Sequence, residues 1–183
     1  FKMFTTRKKL QRIAFFTLCI AVMAPAMAAT AEAFRWDSKV QRGQLANGLA
    51  YYIVDSASAA DPQAGKQVSL QLLVRVGSLD EKDDQSGVAH MVEHMVFQTT
   101  RAHPEGLKTY MESLGWRIGS HYNAQTNFER TLYFLTAPPG RVDAGLGVLA
   151  EIAGGAEIPA DGLERERQII LEEWRTKLGV RER

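Results

Sequence analysis

Hydrophobic and polar positions alternate along parts of this chain and recur at helical spacing along others. Val68, Leu70, Leu72, Val74 and Val76 alternate strictly with other residues, which predicts a half-buried strand. Val40 to Leu45 and Leu49 to Val54 flank Ala46-Asn47-Gly48, and Asn-Gly between two such runs predicts a hairpin. Ala57 to Lys66 is small and polar and reads as a loop. Gly77 to Gly87 is a second, acidic loop carrying Asp80, Glu81, Asp83 and Asp84. Ser86 is a candidate cap for a helix running through Phe97. Pro104 starts a second helix through Leu114, stopped by Gly115. Trp116 to Thr126 and Arg130 to Ala137 read as strands. Arg141 to Ile152 is apolar at helical spacing and stops at Gly154-Gly155. Asp161 is a candidate cap for a last helix that runs to the end of the sequence. These elements make a mixed α and β chain without internal repeats or a low-complexity linker.

Composition narrows the class. The 183 residues carry 22 Lys+Arg against 21 Asp+Glu, with 45% hydrophobic and 23% charged positions, which suits an ordinary globular protein. The charge is unevenly spread. Residues 1–28 hold Lys2, Arg7, Lys8, Lys9 and Arg12 and no acid, so the remainder has 17 basic against 21 acidic groups. A nucleic-acid partner therefore has no electrostatic support in the body of the chain. The basic cluster leads into an apolar stretch of eleven residues, Ile13 to Met23, and then into small residues. That layout is a secretory signal peptide over residues 1–28, with cleavage after Ala28 or after Ala33. A stretch of eleven residues is too short to span a bilayer as a helix, so no stable membrane span is expected once the signal is removed. A mitochondrial presequence, also basic and acid-poor, is the alternative; the continuous apolar block favours a periplasmic or secreted product. Cys19 is the single cysteine and lies inside the apolar block, preceded by Leu18 rather than the small residue a lipid anchor needs. The chain ends at Arg183 inside a helical pattern with no stop signal, as a fragment would.

The chemistry concentrates in Gly87-Val88-Ala89-His90-Met91-Val92-Glu93-His94-Met95-Val96-Phe97. His90 and His94 are four apart and share one face of a helix, so both imidazoles can reach one metal ion. Glu93 projects near the same spot. A carboxylate beside a metal-bound water is what hydrolysis requires: the metal lowers the water's pKa and the carboxylate takes its proton. This is the H-x-x-E-H pattern of inverted zincins. With four His and 13 Glu in 183 residues, chance predicts only about 0.006 occurrences, so coincidence is a poor account. Two histidines and a glutamate among Val88, Met91, Val92, Met95 and Val96 are also costly unless they bind something.

A catalytic zinc takes three protein ligands and keeps one open position. His103, before Pro104, reads as a surface residue, and His121 as an ordinary strand residue. The last helix offers Glu164, Glu166, Glu172 and Glu173. On a wheel of about 100° per residue with Leu163 at 0°, Ile170 falls at about 340°, Trp174 at about 20° and Ile169 at about 240°. Glu166 at about 300° and Glu173 at about 280° lie in that apolar arc, expected to face the core; Glu172 at about 180° lies on the polar side. Glu164 and Glu172 are therefore expected in solvent. Two carboxylates seven apart and aimed inward need a reason, and a metal ion is one.

From about Gln41 to Arg175 the sequence resembles the insulinase/pitrilysin family of zinc metallopeptidases, most closely its bacterial periplasmic branch. The resemblance rests on Leu45-Ala46-Asn47-Gly48-Leu49, Gly77-Ser78, the segment from Gly87 to Phe97, and Asn123-Ala124-x-Thr126 with Thr131 and Tyr133. It also includes the closing Glu-Arg-Glu-Arg-Gln-Ile-Ile-Leu-Glu-Glu-Trp. It implies an α+β fold, an antiparallel-rich sheet with helices packed on one face, in which residues 34–183 form an N-terminal catalytic metallopeptidase domain incomplete at its C-terminus. It implies one Zn(II) per chain held by His90, His94 and Glu173, with Glu93 as general base and Glu166 as a supporting acidic residue. Asn123 and Ala124 match an edge strand that pairs with extended peptide substrate. Full-length members have two halves that close around the substrate, so the resemblance also implies further C-terminal domains or a partner subunit. The expected function is a zinc-dependent endopeptidase acting on extended or unfolded peptides. The alternative is a catalytically silent half that binds peptides or a partner.

Overall fold

A computed structural model describes residues 35–55 and 66–181. The basic and apolar N-terminal segment with both cleavage positions lies outside the described residues, as does most of the loop expected from Ala57. The chain divides into two units at Ser56, and each is described by itself.

The first unit is the expected hairpin. Strands β1 (Val40–Gln44) and β2 (Ala50–Val54) pair antiparallel, with Val40 opposite Val54 and Gln44 opposite Ala50. Leu45 N–H donates to Leu49 O at 2.8 Å and Gly48 N–H to Leu45 O at 2.9 Å. Gly48 sits at φ +89°, a conformation that glycine alone adopts without steric cost.

The second unit is built on a three-stranded antiparallel sheet in the order β3-β5-β4, from β3 (Val68–Val74), β4 (Tyr122–Thr126) and β5 (Thr131–Ala137). Helices α1 (Val88–Met95), α2 (Leu107–Ser113), α3 (Val142–Gly154) and α4 (Ala160–Arg181) complete it. The alternation in β5 buries Thr131, Tyr133, Leu135 and Ala137 on one face. Helix α1 packs on β4 and β5, α3 on β3 and β5, and α4 on α1. Met111, Trp116, Tyr122, Tyr133, Leu135 and Val148 fill the core between helices and sheet. Gly145 lets α3 approach closely, because a Cβ there would collide with Leu70 and Leu135. This is the mixed fold of helices and antiparallel sheet that the pattern predicts and the resemblance implies.

Boundaries differ where local hydrogen bonding overrides pattern. The strand expected from Trp116 begins only at Tyr122. Trp116 N–H instead closes α2 on Met111 O at 3.0 Å, and Gly119, at φ +81°, turns the chain so that its N–H meets Tyr122 O at 2.8 Å. The helix expected from Pro104 begins at Leu107, after Gly106 at φ +110°. Ser86 does not cap α1. Gly87 occupies the cap position, and the Glu81 carboxylate accepts from Gly87 N–H at 2.8 Å and from Ala89 N–H at 2.7 Å. The acidic loop therefore supplies the cap for the helix that carries the histidines, a stabilising arrangement at a helix N-terminus.

Candidate metal centre

Helix α1 presents His90, Glu93 and His94 on one side, and their ligand atoms lie within 4.8 Å of one another. The two imidazole rings meet edge to face with centroids 4.8 Å apart. Helix α4 closes the site. One Glu173 oxygen lies 3.6 Å from His90 Nε2, and the other lies 3.8 Å from His94 Nε2. Glu166, one helical face and seven residues earlier, is buried and meets His94 Nδ1 at 3.0 Å through Oε2. Gln98 Nε2 donates to the other Glu166 oxygen at 2.7 Å. A carboxylate only accepts, so His94 Nδ1 carries a hydrogen and Nε2 is the nitrogen turned toward Glu173, the one free to serve a metal.

Two imidazole nitrogens and a carboxylate oxygen are donors that suit a divalent zinc ion. Tetrahedral zinc with bonds of about 2.0–2.2 Å sets its ligand atoms roughly 3.3–3.6 Å apart. The observed separations of 3.6 and 3.8 Å run to the two different Glu173 oxygens, so the carboxylate has to turn to bring one oxygen to both imidazoles. The residues present therefore could hold such an ion.

The wheel separated the α4 glutamates correctly by position, and Glu166 is buried as expected, but Glu173 is not. Glu164 and Glu172 are exposed and pair along the helix with Arg167 and Arg175. Glu173 remains 39% exposed, and Ile169 and Trp174 are 47% and 60% exposed, so this part of the arc is not core. Ile169 and Glu173 line a cleft of about 550 Å³ together with His90, Glu93 and His94. His103 stacks on Tyr110 with centroids 4.0 Å apart, and His121 Nδ1 accepts from Arg117 N–H at 3.2 Å. Neither histidine belongs to the cluster.

Strand β4 forms another wall of the cleft through Asn123, Ala124 and Thr126, and among the described residues it is an edge strand. Thr136 N–H donates to His121 O at 2.7 Å and Asn127 N–H to Arg130 O at 3.0 Å. In an antiparallel ladder such pairs alternate, so Ala124 turns its N–H and C=O away from β5, toward the free edge. Its N–H meets the Asn123 side-chain oxygen at 2.9 Å.

Three contacts escaped sequence reading. Thr126 donates its hydroxyl to Glu93 Oε2, Gln98 steadies Glu166, and Glu81 caps α1. Gln98 stands four residues after His94, a spacing that held a signal. Thr126 stands 33 residues from Glu93, and nothing local links them. Tyr133, buried beneath the site, has its phenol pushed well above the usual value by burial and by the Glu93 charge.

The fold and this constellation define a metallopeptidase-like domain, and comparison with known proteins gives its family. The sequence model described as Insulinase (Peptidase family M16) matches residues 56–178. The chain belongs to this family. It is 37% identical over 150 residues to the probable zinc protease PqqL of Escherichia coli, covering 79% of this chain and 16% of that protein. The probable zinc protease PqqL of Haemophilus influenzae is 31% identical over 147 residues, 78% of this chain and 15% of the relative. The crystal structure of the periplasmic protease PqqL from E. coli superposes with a TM-score of 0.71 at 35% identity, over 78% of this chain and 16% of that one. The chain thus spans about a sixth of the length of these relatives. Among the described residues, no helix is long and apolar enough to cross a membrane.

Proposed function

We propose that this chain is the metal-binding part of a zinc-dependent endopeptidase that hydrolyses extended or unfolded peptides. The observation that carries the reading is the approach of Glu173 on α4 to both imidazole Nε2 atoms of α1, at 3.6 and 3.8 Å. His90, His94 and Glu173 would hold one Zn(II) per chain, and Glu166 would orient His94. A bound zinc ion supplies Lewis-acid polarisation of a peptide carbonyl and lowers the pKa of water. Glu93 is the general base: its carboxylate takes the proton of the attacking water and returns it to the departing amine. Ala124 offers its outward N–H and C=O to the substrate backbone, and Asn123 shapes that edge. Strand addition of this kind holds extended peptides with little demand on sequence. Substrate enclosure then calls for further C-terminal domains or a partner subunit, in keeping with the share of its relatives that the chain spans. The basic and apolar N-terminal segment, and the periplasmic setting named for the E. coli relative, support export to the periplasm.

Zinc content of the purified chain, measured beside Glu173→Ala, tests the reading. One zinc per chain, lost or sharply weakened in the variant, is expected. A folded chain without zinc, or a variant that keeps it, would overturn the ligand set. Zinc binding with no peptide hydrolysis in the complete protein would favour the silent, peptide-binding alternative.

A further inference from the structure

We infer that Thr126 is a positioning residue that aims the Glu93 carboxylate, an inference that rests on Glu93 as the general base. Thr126 ends β4 and is paired with Thr131 at the start of β5. By the ladder alternation above, this pair exchanges no main-chain hydrogen bonds, and side chains in such pairs stand close. Their hydroxyl oxygens are 3.3 Å apart.

The hydrogens can be assigned by counting. Each threonine hydroxyl has one proton to give. Thr131 Oγ1 lies 3.0 Å from Val76 O, closer than its 3.3 Å to Thr126. A carbonyl oxygen cannot donate, so the Thr131 proton goes to Val76. Thr126 then has its own proton for Glu93 Oε2, and the ionised carboxylate can only accept it. Glu93 is 7% exposed. One of its oxygens is thus tethered to β4, and Oε1 is left to handle the proton in transfer. The tether also tells why threonine suits this position. Its branched Cβ fits the strand and sets the hydroxyl on the face toward α1.

The arrangement has a second consequence. Thr126 belongs to the strand whose edge would hold the substrate, so peptide and base are referred to one rigid element. Sub-ångström placement of a base matters for rate, and its loss acts on turnover more than on binding.

The test compares Thr126→Val, which keeps the shape and removes the hydroxyl, with Thr126→Ser, which keeps the hydroxyl. In the metal-free chain labelled at glutamate carboxyl carbons, the Glu93 resonance is identified by its absence in Glu93→Gln. It is expected to shift in Thr126→Val and to return toward its parent position in Thr126→Ser. Zinc content should stay at the parent level in both. Where the chain turns over peptide, kcat should fall about tenfold or more in the valine variant with KM within about twofold, and the serine variant should recover most of it. An unmoved Glu93 resonance overturns the inference, as does loss of zinc in Thr126→Val with Thr126→Ser alike. Persistent turnover in Glu93→Gln would sink the general-base reading instead, a separate failure.

Discussion

Glu93 and His94 are neighbours in sequence with opposite duties, and single substitutions should separate them. Glu93→Gln preserves shape and removes the carboxylate's basicity. We expect it to keep its zinc while peptide hydrolysis in the complete protein falls by about 100-fold or more, within the usual scale of general-base catalysis. Normal turnover would exclude the assignment. His94→Ala removes one nitrogen donor and leaves Glu166 with Gln98 alone, so zinc measured by atomic absorption should be largely lost. His90, Glu93 and His94 were legible from the sequence because an α-helix converts spacing directly into a shared face. Glu173 and Glu166 were legible as a pair on one arc for the same reason. Their separate parts were not: one meets two Nε2 atoms and the other meets Nδ1, a distinction of a few ångströms set by how α4 crosses α1.

At the level of elements, the outward N–H of Ala124 is the test of β4 as a substrate platform. Proline is tolerated on an edge strand where the N–H points away from the ladder. Ala124→Pro removes that donor without taking a bond from β5. A main-chain hydrogen bond contributes about 0.5–1.5 kcal/mol, so KM for an extended peptide should rise about 2- to 10-fold with zinc content unchanged. An unchanged KM would mean that substrate does not add to this edge. The alternation of β3 was read correctly because a strand buried on one side must repeat every two residues. The start of β4 and the cap of α1 were misread because they depend on Gly119 at positive φ and on Glu81 folding back six residues to Gly87. Neither leaves a periodic trace.

For the molecule as a whole, the buried phenols predict an alkaline limit. Tyr133 is raised by burial and by Glu93, and Tyr122 by burial and by Glu112. Above the ordinary tyrosine value of 10.0, the unfolded chain has released these protons while the folded chain still holds them. The folded state then binds more protons, so their contribution is whole below that value and is lost as pH rises above it. Denaturant midpoints measured from pH 8 to 11 should fall at the alkaline end, and the fall should be shallower in Tyr133→Phe. An equally steep fall in that variant would remove Tyr133 as the cause. By itself the sequence determined the sheet-and-helix class, the helix that carries the H-x-x-E-H residues and the α4 face that supplies the acids. Periodicity and fixed residue spacing act within one element and need nothing beyond it. Only the tertiary structure decided that part of the apolar arc of α4 lines a cleft rather than the core. It alone also brought Thr126 to Glu93 and set Glu173 against both imidazoles. Those contacts join positions 33 to 83 residues apart, and their distances depend on how whole elements pack.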